Sequence, residues 1–473
     1  MEKMTPYELV GHTHSYQIEN ILRLYEKYIE DISIKSILKE NICRAEIYKN
    51  NHLLIYKEEK DIKDPRLQKQ KLASVLYQAL VEMTGKEMPW GFLTGIRPTK
   101  IVHEMMEENL TDEEIKKRLL EFYFIREDKI QLMMEVAKKE KEILDKNKDN
   151  ELSIYIGIPF CPTRCLYCSF TSYAIDKREK QVEDYLDALE KEILSSRKYL
   201  KDKFIRSLYI GGGTPTSLNA AQLERLLIQI NKSFFMDEIE EFTVEAGRPD
   251  TITKEKLNLL KKYHVNRISI NPQTMDNETL VRIGRKHNKE DIIKAFYMAR
   301  ELGFDNINMD LILGLPGEDR KNLSYTMSQI QKLSPDSITV HTMAIKRASR
   351  LKETLDDYSL IDENEIEKMI EMSYESAIQM GMQPYYLYRQ KNMLGNFENV
   401  GYAKVGKESV YNIQIMEEKE SILALGAGAI TKLVDKENNK IERIANVKNV
   451  DEYIKRIDEM ILRKEAGMDF FEK

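Results

Sequence analysis

The chain has 473 residues, is 42% hydrophobic and 32% charged, and carries a formal net charge of -6. That balance belongs to a globular chain rather than a disordered one, and the length predicts two or three domains of ordinary size. So mild a negative charge calls for neither a nucleic acid nor a membrane surface as partner.

The opening residues, MEKMTPYELVGHTHSY, lack the basic and apolar regions of a secretory signal. No run approaches the roughly 18 uninterrupted apolar residues of a membrane helix. Both observations predict a cytoplasmic protein. Residues 43–58, CRAEIYKNNHLLIYKE, predict a β-hairpin turning at Asn50-Asn51. Residues 66–84 carry apolar positions at helical spacing, and Thr111 with Glu114 makes a capping box that opens another helix. The polar run DKNKDNE, 145–151, follows a long charged helix and precedes a strand, which sets a boundary. Residues 1–150 are therefore expected to form an α+β N-terminal extension.

From 151 the texture repeats. Strand-like runs at 154–160, 205–211, 241–246, 266–271, 306–314 and 337–343 alternate with helical stretches at 178–200, 220–233, 253–263, 288–302 and 319–333. Such alternation predicts right-handed βαβ units and a parallel sheet. Six units fall short of the eight that close a full barrel, so residues 151–345 are read as a partial (β/α)6 barrel of the α/β class. Polar and glycine residues gather at the carboxyl ends of its strands, where βα loops build active sites. Residues 346–473 hold a helix near 362–381, then SILALGAGAIT, a hairpin through DKENNK and a helix near 450–465. They are expected to form an α+β section closing the open barrel.

Four cysteines occur, and three fall in GIPFCPTRCLYCSF after the first barrel strand. Cys161, Cys165 and Cys168 stand at the spacing C-x3-C-x2-C. Three thiolates at this pitch can hold one face of an iron–sulfur cube and leave one iron open to a further ligand. Structural zinc is normally four-coordinate, and no fourth cysteine or histidine lies near; a disulfide would leave one cysteine over. The cluster is the favoured reading, with zinc its main competitor. Cys43 stands apart and reads as a buried structural thiol.

Other strand ends carry chemistry too. Gly211-Gly212-Gly213-Thr214-Pro215 follows the second strand, where glycines permit close approach to a ligand or simply a tight turn. Glu245 ends the third strand in TVEAGRPD, placed to accept from an ammonium or a hydroxyl. Gln273 follows the fourth strand, and Arg285, in IGRKH, could pair bidentately with a carboxylate. Asp310 sits among apolar residues in NMDLILGLPGE, where an acid needs a partner.

The cysteine spacing, with Tyr167 just before the third cysteine, resembles the radical S-adenosylmethionine (SAM) signature. In that superfamily the open iron chelates SAM, and one electron from the cluster yields a 5′-deoxyadenosyl radical. YIGIPFC, GGGTPT, TVEA, LGLPGE and LGAGA in this order, across roughly 150–430, resemble the oxygen-independent coproporphyrinogen oxidase family. The extension and its GFLTGIRPTK are similar to a longer subgroup, the coproporphyrinogen dehydrogenases. The resemblance implies a [4Fe–4S] cluster on the three cysteines and one SAM, or two. Tyr155, Gly212 and Glu245 match contacts to the SAM on the cluster. Tyr167, Gly213, Thr214, Gln273, Arg285 and Asp310 match contacts to a second SAM or an equivalent ligand.

The implied reaction is oxidative decarboxylation of the propionates of coproporphyrinogen III to vinyls, giving protoporphyrinogen IX in anaerobic haem biosynthesis. The implied partners are that tetrapyrrole and an electron donor such as flavodoxin or ferredoxin. Arg248, Arg347 and Arg389 are candidates by position for the substrate's carboxylates. Decarboxylating members carry a further cysteine where this chain has Phe170. Haem-trafficking members lack that cysteine too, but carry His-Asn-x-x-Tyr-Trp, whereas the only tryptophan here is Trp90 and the C-terminal region reads QKNMLGNFENVGY. Two alternatives follow: a haem-binding or trafficking protein, with His287 and His341 as candidate axial ligands, or a radical methyltransferase that opens a haem ring.

Overall fold

The computed structural model describes residues 5–468 apart from 170–171, 176–177, 202, 237, 345–360, 391–395, 437 and 439. Phe170, Arg347 and part of QKNMLGNFENVGY lie outside the described residues. The chain divides into two compact units, residues 1–137 and 138–473.

The first unit is built on a four-stranded sheet in the order β1 (Tyr7–Val10), β2 (Ile32–Lys39), β3 (Ile42–Lys49), β4 (His52–Glu59). The predicted hairpin is β3–β4. It closes with Lys49 opposite His52, across Asn50 and Asn51 at φ 51° and 63°. A two-residue turn needs this left-handed pair, and asparagine tolerates it. β2 and, parallel to it, β1 extend the sheet. The helix Pro65–Thr84 packs on β3 and β4. Asp64 caps its start through Arg66 N at 2.8 Å, and Gly85 ends it at φ 66°. The capping box of Thr111 and Glu114 forms as expected at the helix Asp112–Glu121. Cys43 is fully buried with its Sγ 3.6 Å from Gln68 O, and burial pushes its thiol up to about 11.

The second unit carries the six predicted parallel strands, adjacent in chain order: β5 (Glu151–Ile158), β8 (Phe204–Gly212), β9 (Glu241–Glu245), β10 (Arg267–Ser269), β11 (Ile307–Leu313) and β12 (Ser337–Thr342). Between β5 and β8 lie two short strands, β6 (Phe160–Cys161) and β7 (Tyr173–Ala174), paired with each other. Helices 179–196, 220–233, 254–262, 289–301 and 320–333 return the chain between barrel strands. Their capping residues include Asn219, Asn288 and Asp319, each in a reciprocal capping box.

Successive side chains of a strand point to opposite faces, and here the two faces differ sharply. Ile154, Ile156, Leu208, Ile210, Phe242, Val244, Ile268, Met309, Leu311, Ile338 and Val340 form one buried apolar face. The other bears Ser153, Ser207 and Glu241 in register, then Tyr155, Tyr209, Thr243 and Arg267, with Asn308 beside Ser337 and Asp310 beside Thr339. Barrel interiors are ordinarily packed with branched apolar side chains. A polar lining instead has to be satisfied by its own hydrogen bonds or by a ligand.

The remaining strands extend both edges of this sheet. β13 (Gln383–Tyr388) and β14 (Asn399–Ala403) run antiparallel beyond β12. β15 (Ser421–Leu425) pairs parallel with β5, and β16 (Ile430–Asp435) with β17 (Lys440–Ala445) forms the predicted hairpin beyond it. The helix Val410–Glu417 starts on Glu241, which accepts from Ser409 Oγ at 2.9 Å and Val410 N at 2.5 Å. This seats the Tyr411 ring against Tyr209 and Tyr155, with centroids 4.5 and 6.1 Å away. The C-terminal helix Ile457–Met468 is fastened by Lys464, whose Nζ lies 2.6 Å from the fully buried Glu192. Glu192 also accepts from Asn446, Tyr453 and Gly426 N, so it positions the Gly-Ala-Gly turn beside β5.

Candidate active site

The cysteine loop springs from the end of β5 and is held at three places. At its start, Gly213 N donates to Ile158 O at 2.8 Å and Thr214 N to Phe160 O at 2.7 Å. In its middle, Leu166 N donates to Ile283 O at 3.0 Å and Thr163 Oγ1 to Gly284 O at 3.1 Å. At its end, Tyr173 N donates to Pro159 O at 2.8 Å.

These contacts anchor the loop that carries the three thiols. Cys165 is buried, and Cys161 and Cys168 are half-buried. Burial, with the neighbouring Cys168 and Cys165, pushes the Cys161 thiol up to about 11, although Thr214 Oγ1 lies 3.5 Å from its sulfur. An iron that takes these sulfurs must displace their protons. Arg248 Nη1 approaches Cys165 Sγ at 3.6 Å.

The glycine run serves the protein more than a ligand. A Cβ on Gly213 would stand 2.5 Å from Phe160 O, and one on Gly211 would stand 2.9 Å from the Glu245 carboxyl carbon. Gly212, at φ 108°, needs a backbone that only glycine adopts freely, and brings the Tyr155 hydroxyl within 3.2 Å of its missing Cβ. Gly211 and Gly213 thus make room for Glu245 and for the first turn of the cysteine loop.

Glu245 ends β9 among polar groups. Tyr209 OH donates to its Oε1 at 2.7 Å. Burial pushes its carboxyl up to about 7; the Asp310 charge adds to this, while Tyr209, the Gly212 N–H and Arg267 oppose it. A cation placed beside it would restore the carboxylate.

Gln273 occupies the left-handed region at φ 67°, a costly place for a residue other than glycine. Its backbone is stitched into the sheet beside Leu311, N to Asp310 O at 2.9 Å and O from Ile312 N at 3.0 Å. Its side-chain Oε1 is buried with no hydrogen-bond partner. Thr274, next in line, donates to Glu318 Oε1 at 2.5 Å, which gives the acid of LGLPGE its role as a brace for this turn. Burial raises Glu318 to about 7.

Arg285, expected to meet a carboxylate, instead donates to Tyr167 OH at 2.8 Å and to the Gly247 and Asn271 carbonyls at 3.1 and 3.2 Å. Its Nε is buried and unpartnered. Asp310 accepts from Asn308 Nδ2 at 2.7 Å and lies 3.9 Å from His341 Nε2. His341 and Asn308 hold its carboxyl below the ordinary value against the opposing effect of burial. Tyr388 OH completes the group, 3.0 Å from His341 Nδ1.

The structure therefore places Tyr155 and Asp310 on the polar face in the middle of β5 and β11, and the glycines, Thr214, Glu245, Gln273, Arg285 and Tyr167 at or beyond the carboxyl ends of the barrel strands. Arg248 and Arg389 are not presented as surface charges: both are buried. Arg248 chelates Asp250, at 2.9 Å to each oxygen, and Arg389 donates to Asn396 O at 3.0 Å. His287 is tied to Asp250 at 3.3 Å with a fully buried ring.

Sequence reasoning missed the roles of Arg248, Tyr209, Tyr411 and Tyr388. For Tyr209 the signal was present, in the alternation of polar and apolar residues along RSLYIGG. A donor set of three thiols with no fourth cysteine or histidine grouped with it among the described residues, beside the unpartnered acceptor of Gln273 and donor of Arg285, fits an iron–sulfur cluster with an open iron and a polar ligand next to it.

The model of the radical SAM superfamily matches residues 155–330, a span that holds every site residue named from the cysteines to Asp310. Over 417 residues the chain is 43% identical to the oxygen-independent coproporphyrinogen-III oxidase-like protein HemZ of Bacillus subtilis, across 87% of this chain and 83% of that protein. It is 34% identical to the heme chaperone HemW of the same organism over 283 residues, 59% of this chain and 70% of the relative. Among solved structures, coproporphyrinogen III oxidase (HemN) from Escherichia coli shares the fold, with a TM-score of 0.56 at 24% identity over 69% of this chain and 73% of the other. Identity of this extent, over most of both chains, means that the protein belongs to the radical SAM superfamily, in the family of oxygen-independent coproporphyrinogen-III oxidase-like proteins, whose cofactors are a [4Fe–4S] cluster and SAM.

Proposed function

We propose that the protein is a radical SAM oxidoreductase that converts propionates of coproporphyrinogen III to vinyls, with Cys161, Cys165 and Cys168 holding the cluster. The observation that carries this reading is the polar face of the barrel strands beside the thiol loop, which bears Glu245 and Asp310, together with the unpartnered Oε1 of Gln273. When bound, the cluster and SAM supply a carbon radical able to abstract hydrogen from an unactivated position. The chain's own residues do the rest. Glu245 would accept from the SAM ammonium, whose positive charge would hold the carboxyl ionised. The Gly212 backbone and Tyr155 bound the same ligand, and Gln273 Oε1 and Asp310 accept from its neighbour. Tyr411, Tyr209 and Tyr155 fill the space beneath with aromatic rings and keep water out. A flavodoxin or ferredoxin would deliver the electron that cleaves SAM; in each turn one hydrogen atom would pass from the propionate to 5′-deoxyadenosine, carbon dioxide would leave, and the one electron left on the substrate would go to a separate one-electron acceptor.

A second reading, a haem carrier, is favoured by one observation. His341 has its Nδ1 engaged by Tyr388 OH and its Nε2 turned toward Asp310, with a quarter of its side chain exposed. A ligating histidine has its other nitrogen anchored; here Nδ1 is the anchored one, and Nε2 would turn from Asp310 to take an iron. His287, fully buried on Asp250, is not so placed.

Anaerobic incubation of the reconstituted protein with SAM, a low-potential reductant and coproporphyrinogen III separates these readings, with 5′-deoxyadenosine and porphyrin products followed together by mass spectrometry. Loss of two carboxyl groups per substrate is the expected result. Cleavage of SAM beside an unchanged porphyrin would overturn the assigned substrate, and stoichiometric haem binding without cleavage would establish the carrier.

A further inference from the structure

The turn after β9, Ala246-Gly247-Arg248-Pro249-Asp250, carries a guanidinium into the cysteine loop. Arg248 is only 3% exposed. Its Nε and Nη2 grip the two Asp250 oxygens, each at 2.9 Å. Its Nη1 points away from that carboxylate, toward Thr163 Oγ1 at 3.1 Å, Thr163 O at 3.3 Å and Cys165 Sγ at 3.6 Å. The geometry of a planar fork fixes all of these at once. Asp250 is held in turn by His287 Nδ1 at 3.3 Å. The sulfur thus faces the free edge of a guanidinium whose other edge is clamped.

We propose that Arg248 is a positioning residue for the iron–sulfur cluster, donating an N–H···S bond to Cys165 and raising the reduction potential of the group that this sulfur holds. This rests on the reading that the three cysteines ligate a cluster. Adding an electron makes a cluster more negative, so a buried cation and a hydrogen bond to a ligating sulfur both favour the reduced form. Asp250 acts in the opposite sense: its carboxylate offsets part of the Arg248 charge while aligning the fork. Arg285 touches the same loop from another side, where its hydrogen bonds run to Tyr167 OH and two backbone carbonyls and none to a sulfur. The contact to sulfur is therefore assigned to Arg248.

The test is an EPR-monitored redox titration of the reconstituted full-length protein, with iron and sulfide measured on each sample. Arg248→Gln is expected to keep its iron and shift the midpoint potential negative. Arg248→Lys keeps the charge without the fork and is expected to shift less. Asp250→Asn removes the offsetting carboxylate and is expected to shift the potential positive. Unchanged midpoints in iron-replete Arg248→Gln and Asp250→Asn, or shifts of the same sign in both, would overturn the proposal. Should Arg248→Gln fail to hold iron, the Arg248→Lys and Asp250→Asn pair decides by the same criterion. Failure of the underlying reading has a different signature: iron and cluster spectrum retained when Cys165 is replaced by alanine.

Discussion

Replacing Glu245 by glutamine should stabilise the ligand-free protein, and the gain should grow with pH. In the fold its carboxyl titrates near 7 instead of the ordinary 4.5, chiefly because of burial. At about 1.36 kcal/mol per factor of ten, ionising it in place costs roughly 3 kcal/mol. The sign follows from linkage. Below the unfolded value both states are protonated and there is no cost. The cost builds as pH rises from the unfolded value, and is complete once pH exceeds the folded value. Between about pH 5.5 and about pH 8 it grows by about 2 kcal/mol. The amide of Glu245→Gln has no such titration, and it can still accept from Tyr209. Glu318 and Glu420 also titrate near 7, but they are common to both proteins and cancel in the difference. Taking about 2 °C per kcal/mol for a large unit, the Tm advantage of the variant should widen by about 4 °C across that range, measured by thermal unfolding without SAM. An advantage that stays constant with pH would refute a Glu245 carboxyl pushed up to about 7. The same substitution should weaken SAM binding, because the carboxylate that a ligand ammonium would restore is gone.

Gly213→Ala should cost about 1–3 kcal/mol, since the new methyl group would sit 2.5 Å from Phe160 O. Iron content after reconstitution should fall with it, and wild-type iron retention at an unchanged Tm would contradict the role given to this glycine. Lys464→Met should cost about 3–5 kcal/mol by leaving Glu192 charged and buried. Adding Glu192→Gln should recover most of that loss in a double-mutant cycle followed by thermal unfolding; simple additivity would show that the two do not act as a pair.

The barrel was legible because its six strands alternate with five amphipathic helices, four of them opened by a capping side chain, and the spacing of such units leaves little choice of topology. The hairpin at Asn50-Asn51 was legible for the same local reason. β1 was not, since the four residues YELV carry no period of their own and owe their strand conformation to pairing with β2. The cysteines announced themselves by their spacing taken with the strand and loop around them. Arg248 was assigned to the wrong neighbour because a strand-end arginine in sequence offers no sign of whether it turns outward to a substrate or inward to the cysteine loop, and only Asp250 two residues on, with His287 far along the chain, decides it. Arg285 was placed at the site, but its partner, Tyr167, is more than a hundred residues away. Tyr411 joins the barrel through Glu241, a contact between the foot of one strand and a helix in the closing section that no local pattern encodes.

The central claim is that Cys161, Cys165 and Cys168 hold a cluster that cleaves SAM. Its most direct test is 5′-deoxyadenosine formation by anaerobically reconstituted wild-type protein and Cys165→Ala, with SAM and a low-potential reductant and with iron counted on the same samples. The account predicts a brown wild-type protein that releases 5′-deoxyadenosine and a colourless variant that releases none. A wild-type protein replete in cluster that leaves SAM intact, or a Cys165→Ala variant that cleaves it equally well, would contradict the claim.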